Sequence, residues 1–214
     1  MTQTQDYAAP PPSEALQRLS DGNRRFRESK GAIDRGWSPD LATGIQRPFA
    51  IILGCSDSRT PVEILFDQGF GDLFVVRVAG NIVAPSIVGS IEFAASQFGS
   101  RLVVVMGHTR CGAVTATVQA IQTRMGHESK NIRAITDRIA PHIASLVRPG
   151  TDETPAETMI HQAVRANVRA SADHLRHGSQ ILEQMVLAGQ VAVVGAEYDL
   201  DTGVVDFFDG VPTP

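Results

Sequence analysis

Four short apolar runs dominate the hydrophobic pattern of the chain. Each is rich in β-branched side chains, and none shows the alternation of polar and apolar residues that marks a half-buried strand. Strands that are apolar on both faces belong to parallel sheets covered by helices on both sides. We therefore predict four parallel strands, at residues 49–53, 73–78, 102–106 and 191–196.

Helical patterns separate these runs. They fall at residues 61–66, 86–98, 111–124, 131–147 and 155–188, the last interrupted near residues 177–178. Alternating strands and helices are typical of the α/β class. A turn at residues 201–203 precedes a further apolar run, 204–208, that could pair back on the sheet. The predicted fold is α/β: a mostly parallel central sheet of about four parallel strands plus an antiparallel edge strand, flanked by helices.

The beginning of the chain differs in character from the rest. Residues 1–12 are polar and proline-rich, which predicts a flexible arm. Ser13 is a suitable N-cap for a helix over residues 13–29. The apolar stripe of this helix is thin, so it needs a surface on its own domain or on a partner subunit. Residues 30–47 read as a loop, and residues 13–214 are predicted to form one domain.

Composition excludes several classes of partner. The 214 residues are 43% hydrophobic with a net charge of −4, which argues against a surface for nucleic acid or anionic membrane. No apolar stretch approaches the roughly 18 residues of a membrane span. The first residues lack the basic and apolar regions of a secretory signal, and two cysteines do not make a disulfide framework. The expected location is the cytoplasm.

Both cysteines stand where a predicted buried strand gives way to a loop. Cys55 follows the run 49–53, and His108 and Cys111 follow the run 102–106. In open α/β sheets, ligands bind beyond the carboxyl ends of the strands, so neighbouring strands would bring these side chains to one crevice. Two thiolates and an imidazole suit Zn²⁺, and three ligands with an open fourth position indicate a catalytic zinc rather than a structural one.

An acid and a base follow Cys55 closely. Asp57 and Arg59 could form an ordinary surface ion pair of little energetic value. Next to zinc, Asp57 could instead be a fourth ligand, or the acceptor that orients a hydroxide generated by the metal. Arg59 could decide between these two roles by forking onto the carboxylate and holding it away from the metal.

These segments make the chain resemble the β-class carbonic anhydrases over residues 13–208. The resemblance rests on Cys-Ser-Asp-Ser-Arg at 55–59, Phe-Val-Val-Arg-Val-Ala-Gly-Asn at 74–81, Gly-Ser-Ile-Glu-Phe at 89–93 and Gly-His-Thr-Arg-Cys-Gly at 107–112. It implies one zinc per subunit. The implied ligands are Cys55, His108 and Cys111, with Asp57 and Arg59 as the dyad that gates the fourth position.

The same resemblance implies the reaction, the substrate pocket and the assembly. The reaction is reversible hydration of carbon dioxide to bicarbonate and a proton. Gln46 falls where the family has a glutamine that hydrogen-bonds the substrate, Phe74 and Ala79 fall at positions lining the apolar pocket, and Phe93 and Gly112 complete the set. A homodimer or a dimer of dimers is implied, with the N-terminal helix packing on the partner subunit.

The chain departs from the family pattern at several positions. Phe93 replaces a tyrosine usual in plant-type members, and Ala113 replaces the second glycine of a Cys-Gly-Gly segment. Members inhibited by bicarbonate carry a tryptophan where this chain has Ile52, although Arg77 and Tyr198 match two further residues of that site. We therefore expect the allosteric bicarbonate site to be absent or weak.

Two other functions fit parts of the pattern. The same scaffold also supports hydrolysis of carbonyl sulfide or carbon disulfide. A non-catalytic zinc or thiol sensor would instead use Cys55 and Cys111 as a reversible disulfide. Two anionic thiolates should make zinc a weaker Lewis acid, so its bound water should have a higher pKa than in a three-histidine site, where it is about 7. A carbonic anhydrase of this kind should therefore gain activity above neutral pH. The sequence does not identify a proton shuttle among its other histidines.

Overall fold

A five-stranded sheet forms the centre of the molecule. The structure is a computed structural model that describes residues 8–28, 46–126, 129–150 and 155–212. The strand order is β2-β1-β3-β4-β5, with three parallel pairs and one antiparallel pair, β4 with β5. The predicted fold class is confirmed. The strands are β1 (Ala50–Gly54), β2 (Leu73–Arg77), β3 (Leu102–His108), β4 (Ala192–Tyr198) and β5 (Val205–Asp209).

Seven α-helices are described around this sheet, close to their predicted positions. The long predicted helix is two helices, because Ser179 begins a new one by accepting a hydrogen bond from the Leu182 N–H at 3.1 Å. The helices are α1 (Pro12–Arg27), α2 (Val62–Leu65), α3 (Pro85–Phe98), α4 (Gly112–Thr123), α5 (Lys130–Ile143), α6 (Glu157–His177) and α7 (Gln180–Leu187). A 3₁₀ turn, Ala144–Leu146, extends α5.

Both faces of the sheet are buried, which explains the missing alternation in the sequence. Ile52 and Val104 belong to a core shared with α1 and α2. Ile51 and Val103, one residue away, belong to a second core shared with α3, α6 and α7. Because successive side chains of a strand point to opposite faces, a strand between two cores must be apolar at every position.

The pairing of β1 with β3 positions the candidate site. Gly54, the last residue of β1, lies opposite Met106 in parallel register. Cys55 and His108 therefore emerge at the same edge of the sheet, as expected for the carboxyl ends of neighbouring parallel strands. The sequence analysis assumed that these two strands are neighbours, and the structure confirms it.

Helix α1 packs on its own chain, and its additional packing on a partner subunit stays a prediction. Asn23 is buried and donates hydrogen bonds to the carbonyls of Leu65 (3.1 Å) and Gly203 (2.9 Å), while its own Oδ1 accepts from the Val205 N–H (3.0 Å). A Cβ on Gly22 would overlap the Phe66 carbonyl, so the helix approaches its domain closely. The thin stripe is sufficient because one buried amide satisfies three backbone groups.

Two sequence predictions fall largely outside the described residues. Residues 1–7 of the predicted arm, residue 29 of the predicted first helix and residues 30–45 of the predicted loop lie there, while Ala9 is buried and α1 begins at Pro12. Among the described helices, none combines the length and the hydropathy needed to cross a membrane.

Candidate metal centre

Three side chains converge beyond the carboxyl ends of β1 and β3. Cys55 follows β1 directly, His108 ends β3, and Cys111 is the N-cap residue of α4. Their ligand atoms all lie within 4.8 Å of one another, and the three residues are 1–5% exposed. The two strands and the helix thus bring together the three residues that the sequence singled out as ligands.

The spacing of the sulfur atoms fits zinc. Cys55 Sγ and Cys111 Sγ are 3.9 Å apart. Two thiolates bound to a tetrahedral zinc at about 2.3 Å would lie about 3.8 Å from each other. The separation is also well beyond a disulfide bond of about 2.05 Å, and both cysteines are free.

His108 presents a prepared ligand atom. Its Nδ1 lies 3.0 Å from the Thr109 carbonyl oxygen, which only accepts hydrogen bonds, so Nδ1 carries the proton. The other ring nitrogen, Nε2, is buried without a hydrogen-bond partner among the described residues. A buried polar atom without a partner is costly, and a metal ion would satisfy this one.

The two thiols share their protons unequally. A hydrogen bond from Cys111 lowers the pKa of the Cys55 thiol, and the Gly80 N–H lowers it further. The same hydrogen bond and burial raise the pKa of the Cys111 thiol. A divalent cation bound by both sulfur atoms would favour loss of both protons.

Arg59 holds Asp57 with a two-pronged contact. Arg59 Nε donates to Asp57 Oδ1 at 3.0 Å and Nη2 donates to Oδ2 at 2.8 Å, while the Arg59 backbone N–H donates to Oδ1 at 2.9 Å. These contacts hold the pKa of the Asp57 carboxyl well below its usual range. Oδ2 lies 3.8 Å from His108 Nε2, beside the centre.

Arg77 fixes the loop that carries this dyad. From β2, its Nε donates to the Cys55 carbonyl at 2.8 Å and its Nη2 to the Asp57 carbonyl at 2.6 Å. Thr60 Oγ1 donates to the Asp57 carbonyl at 2.9 Å. Arg77 is thus engaged within its own subunit, and the expectation of an absent or weak bicarbonate site stays a prediction.

Two of the predicted pocket residues lie at the centre. Ala79 precedes Gly80, whose N–H points at Cys55 Sγ with a distance of 3.4 Å. Gly112 follows Cys111 and is the first residue of α4, where backbone N–H groups are free to face a ligand. Both positions adjoin ligand residues within the same subunit.

The other three predicted pocket residues lie elsewhere in the subunit. Gln46 precedes β1, whereas Cys55 follows it. Phe74 pairs with Ile51, four residues before Cys55, which corresponds to about 13 Å along the strand. Phe93, 53% exposed on α3, contacts Phe98, which in turn contacts Phe74. One subunit therefore does not bring Gln46, Phe74 or Phe93 to its own metal centre.

Sequence reasoning missed two buried polar residues near the site. Asn167 on α6 donates to the Gly80 carbonyl, and Glu197 on β4 is 4% exposed beside His161 and Arg165. Asn167 stands on the buried, largely apolar stripe of α6, and Glu197 directly follows the apolar run predicted as a strand at residues 191–196. A polar residue at a core position was the available signal. The sequence did not indicate the hydrogen-bond partners of these two residues, because the partners lie on other elements.

The chain is similar to known carbonic anhydrases along nearly its whole length. The family model for carbonic anhydrase matches residues 50–205. A carbonic anhydrase of Mycolicibacterium smegmatis is 38% identical over 91% of this chain and 92% of its own length. A β-carbonic anhydrase structure from Aspergillus fumigatus is 26% identical with a TM-score of 0.65, covering 94% of this chain and 92% of that one.

A further structural comparison is with two tetrameric β-carbonic anhydrases from Sordaria macrospora. The TM-score is 0.68 at 21% identity, covering 91% of this chain and 97% of that one. This likeness concerns the fold. Together with the sequence match over residues 50–205 and the Cys-His-Cys centre, these findings establish that the chain belongs to the β-carbonic anhydrase family.

Proposed function

We propose that the protein catalyses the reversible hydration of carbon dioxide to bicarbonate and a proton at a zinc ion held by Cys55, His108 and Cys111. One observation carries this proposal. Three buried ligand atoms lie within 4.8 Å of one another, next to a carboxylate that an arginine holds by both oxygens. This is the ligand number of a catalytic zinc site that keeps one position for substrate.

The chain's own residues have distinct tasks in this chemistry. Bound zinc supplies a Lewis acid that makes water nucleophilic near neutral pH. Asp57 remains ionised because Arg59 holds its pKa well below the usual range, so its carboxylate only accepts hydrogen bonds. Asp57 would accept a hydrogen bond from the attacking water, so that the lone pair of the water oxygen is directed at the carbon atom of carbon dioxide.

Arg59 also limits where the Asp57 carboxylate goes. Both carboxylate oxygens accept from the guanidinium, and Oδ1 additionally accepts from the backbone N–H of Arg59. A bidentate arginine contact fixes the plane of a carboxylate. Asp57 is thereby oriented toward the reacting water and restrained from taking the fourth metal position itself.

The substrate pocket is proposed to be shared between two subunits. Gln46, Phe74 and Phe93 resemble the family's pocket residues, yet they lie away from Cys55 in one subunit. A second copy of the chain that places these side chains over the metal centre reconciles the two observations. We therefore propose a homodimer or a dimer of dimers, an assembly consistent with the tetrameric Sordaria macrospora relatives.

The remaining assignments follow from the same site. Both cysteines are free thiols and are needed as ligands, which favours the reducing cytoplasm as the location. Residues 13–214 are proposed to form one zinc domain, with residues 1–12 as an arm. The similar proteins are named carbonic anhydrases, which favours this activity over hydrolysis of carbonyl sulfide or carbon disulfide and over a zinc or thiol sensor.

Stopped-flow hydration of carbon dioxide by the zinc-loaded protein, from pH 6.5 to 9, tests the function. We expect a pH-dependent rate that rises above neutrality and is abolished in Cys111→Ser together with its zinc. A protein with stoichiometric zinc but no hydration would overturn the proposal. Faster release of sulfide from carbonyl sulfide than hydration of carbon dioxide would assign the alternative substrate.

A further inference from the structure

Helix α6 carries two buried polar side chains on its core-facing side. Asn167 and Ser171 are 1% and 6% exposed, one helical turn apart, between the buried residues Val164, Val168 and Ala172. A polar side chain in such surroundings is costly unless it is hydrogen-bonded. What each of these two groups binds is therefore informative.

Both side chains bind the backbone of the segment after β2. Asn167 Nδ2 donates to the Gly80 carbonyl at 2.8 Å, and Ser171 Oγ donates to the Asn81 carbonyl at 3.1 Å. Gly80 and Asn81 both have positive φ, 69° and 42°. Two consecutive residues in the left-handed region require support from their surroundings, particularly at the non-glycine position.

Gly80 connects this support to the metal centre. Its N–H points at Cys55 Sγ over 3.4 Å, while its carbonyl accepts from Asn167. A Cβ at this position would lie 2.9 Å from Ile139 Cδ1 and 3.1 Å from Ala113 Cβ, so a side chain there would be crowded, and the φ of 69° would strain it as well. The direction of the N–H is therefore set by the Gly80 conformation, and Asn167 holds the carbonyl of that residue.

We propose that Asn167 is a positioning residue that keeps the Gly80 N–H hydrogen-bonded to the Cys55 sulfur. This inference rests on the proposed function, because it takes Cys55 as a zinc ligand. An N–H bonded to a metal thiolate withdraws charge from sulfur, and such contacts around a metal site tune its chemistry. Asn167 would thereby make a bound metal a stronger Lewis acid than it would be with two thiolates that accept no hydrogen bond.

Loss of Asn167 should shift the pH dependence of activity to higher pH. Without Asn167 the Gly80 carbonyl is released, the N–H···S contact weakens, and the Cys55 sulfur becomes a stronger donor. The metal then acidifies water less, so activity moves to higher pH. Ligand-to-metal charge transfer from a more electron-rich sulfur requires less energy, so the thiolate absorption of a cobalt-substituted protein moves to longer wavelength.

The test compares Asn167→Asp, which keeps the shape but lacks the donor, and Asn167→Ala with the native protein and Ser171→Ala. Ser171→Ala is the matched control, because it removes an equally buried hydrogen bond one turn away that ends on Asn81. We expect both Asn167 variants to show a red-shifted thiolate-to-cobalt band and activity lowered about tenfold at pH 7, recovering at alkaline pH. Ser171→Ala should change neither.

The outcomes separate this inference from the proposed function. A native protein without thiolate-to-cobalt bands would refute the ligand set. Native bands that stay unchanged in the Asn167 variants, or that shift equally in Ser171→Ala, would overturn the role of Asn167. If the Asn167 variants do not fold, the cadmium-loaded native protein decides. Scalar coupling between the Gly80 amide proton and ¹¹³Cd supports the inference, and its absence overturns it.

Discussion

At the scale of single residues, the carboxylate of Asp57 is the most constrained group in the site. It accepts two hydrogen bonds from the Arg59 guanidinium and one from the Arg59 backbone, and its Oδ2 stands 3.8 Å from His108 Nε2. The surface ion pair that the sequence alone allowed would show neither this fixation nor this neighbour. The geometry favours a role in orientation.

Asp57→Asn tests that role. The amide keeps the shape but replaces one acceptor oxygen by a donor, so the reacting water loses its acceptor. We expect turnover of carbon dioxide to fall about 10²- to 10⁴-fold while one zinc per chain remains bound. Stopped-flow rates and metal analysis measure both quantities. Ser58→Ala, at an exposed position next to Asp57, is the control and should behave as the native protein. Loss of zinc with a normal residual rate would contradict the role.

Glu197 is a second residue with an unusual environment. It is 4% exposed, its Oε2 lies 2.9 Å from His161 Nε2 and 3.2 Å from Arg165 Nη1, and Arg165 also binds Asp206. Its other oxygen, Oε1, has no partner among the described residues. Burial raises the pKa of this carboxyl above its ordinary value of 4.5, despite the nearby Arg165 and His161.

The raised pKa of Glu197 fixes the sign of a stability measurement. A carboxyl whose pKa is higher in the folded state stabilises the fold below its unfolded pKa and loses that contribution as pH rises through the folded pKa. The free energy of unfolding of the native residue should therefore fall relative to Glu197→Gln as pH rises from about 4.5. Urea unfolding in a His161→Gln background isolates the carboxyl. A flat or rising difference would show that Arg165 outweighs burial.

The sequence could single out the three candidate ligands, which the structure brings together, because the pattern that marks them is local. Cys55, His108 and Cys111 each follow an apolar run, and the carboxyl ends of neighbouring parallel strands meet at one edge. Asn167 and Glu197 escaped prediction for the opposite reason. Their partners, the Gly80 carbonyl and His161, lie on other elements, so nothing adjacent in the sequence marks the contact.

At the scale of elements, the site depends on how a strand end is held. Strand β2 contributes no ligand, but Arg77 at its end binds the carbonyls of Cys55 and Asp57. The sequence identified β2 from its apolar run and matched Arg77 to a bicarbonate site. The structural role of Arg77 depends on the register of β2 against β1, which places it opposite Gly54.

Replacing Arg77 should loosen the ligand loop. Arg77→Met leaves the two carbonyls without their donors while preserving much of the side chain's length. We expect zinc affinity to fall about 10- to 100-fold, measured by competition with a chromophoric chelator. The matched control is Arg101→Met, which removes a guanidinium that binds the carbonyls of Gln190 and Gly189 near the opposite end of β3. Equal affinity losses in both variants would contradict a specific role for Arg77.

Helix placement was less predictable than the strands. The sequence located α1 within two residues but did not identify the surface of its own domain on which it packs. The deciding contacts are those of Asn23, which joins α1 to the α2 region and to β5, 180 residues away in the sequence. Such a long-range contact leaves no periodic signal in the helix itself.

At the scale of the whole molecule, one subunit does not bring all of the predicted pocket residues to its metal centre. Gln46 and the aromatic pair Phe74 and Phe93 are at a distance from Cys55 that no side-chain rotation closes, since β1 itself separates Gln46 from the centre. Sequence resemblance assigned them to the pocket without indicating which subunit supplies them. A shared site makes the assembly part of the catalytic machinery.

Two inactive variants test sharing by complementation. In a dimer of one Cys55→Ser subunit and one Gln46→Ala subunit, a shared arrangement creates one native site, with metal ligands from one chain and Gln46 from the other. We expect the purified mixed dimer to recover about half of the native activity per dimer. If each subunit holds a complete site, the mixed dimer shows only the average of the two parent variants.

In the proposed centre, Cys55, His108 and Cys111 bind zinc and leave one coordination position open. Zinc K-edge X-ray absorption of the native protein tests it most directly, because it counts sulfur and lighter ligands without a substitution. We predict two sulfur ligands at about 2.3 Å and two nitrogen or oxygen ligands at about 2.0 to 2.1 Å, one zinc per chain. A shell with fewer than two sulfurs, or no bound zinc in a folded protein, would contradict the account.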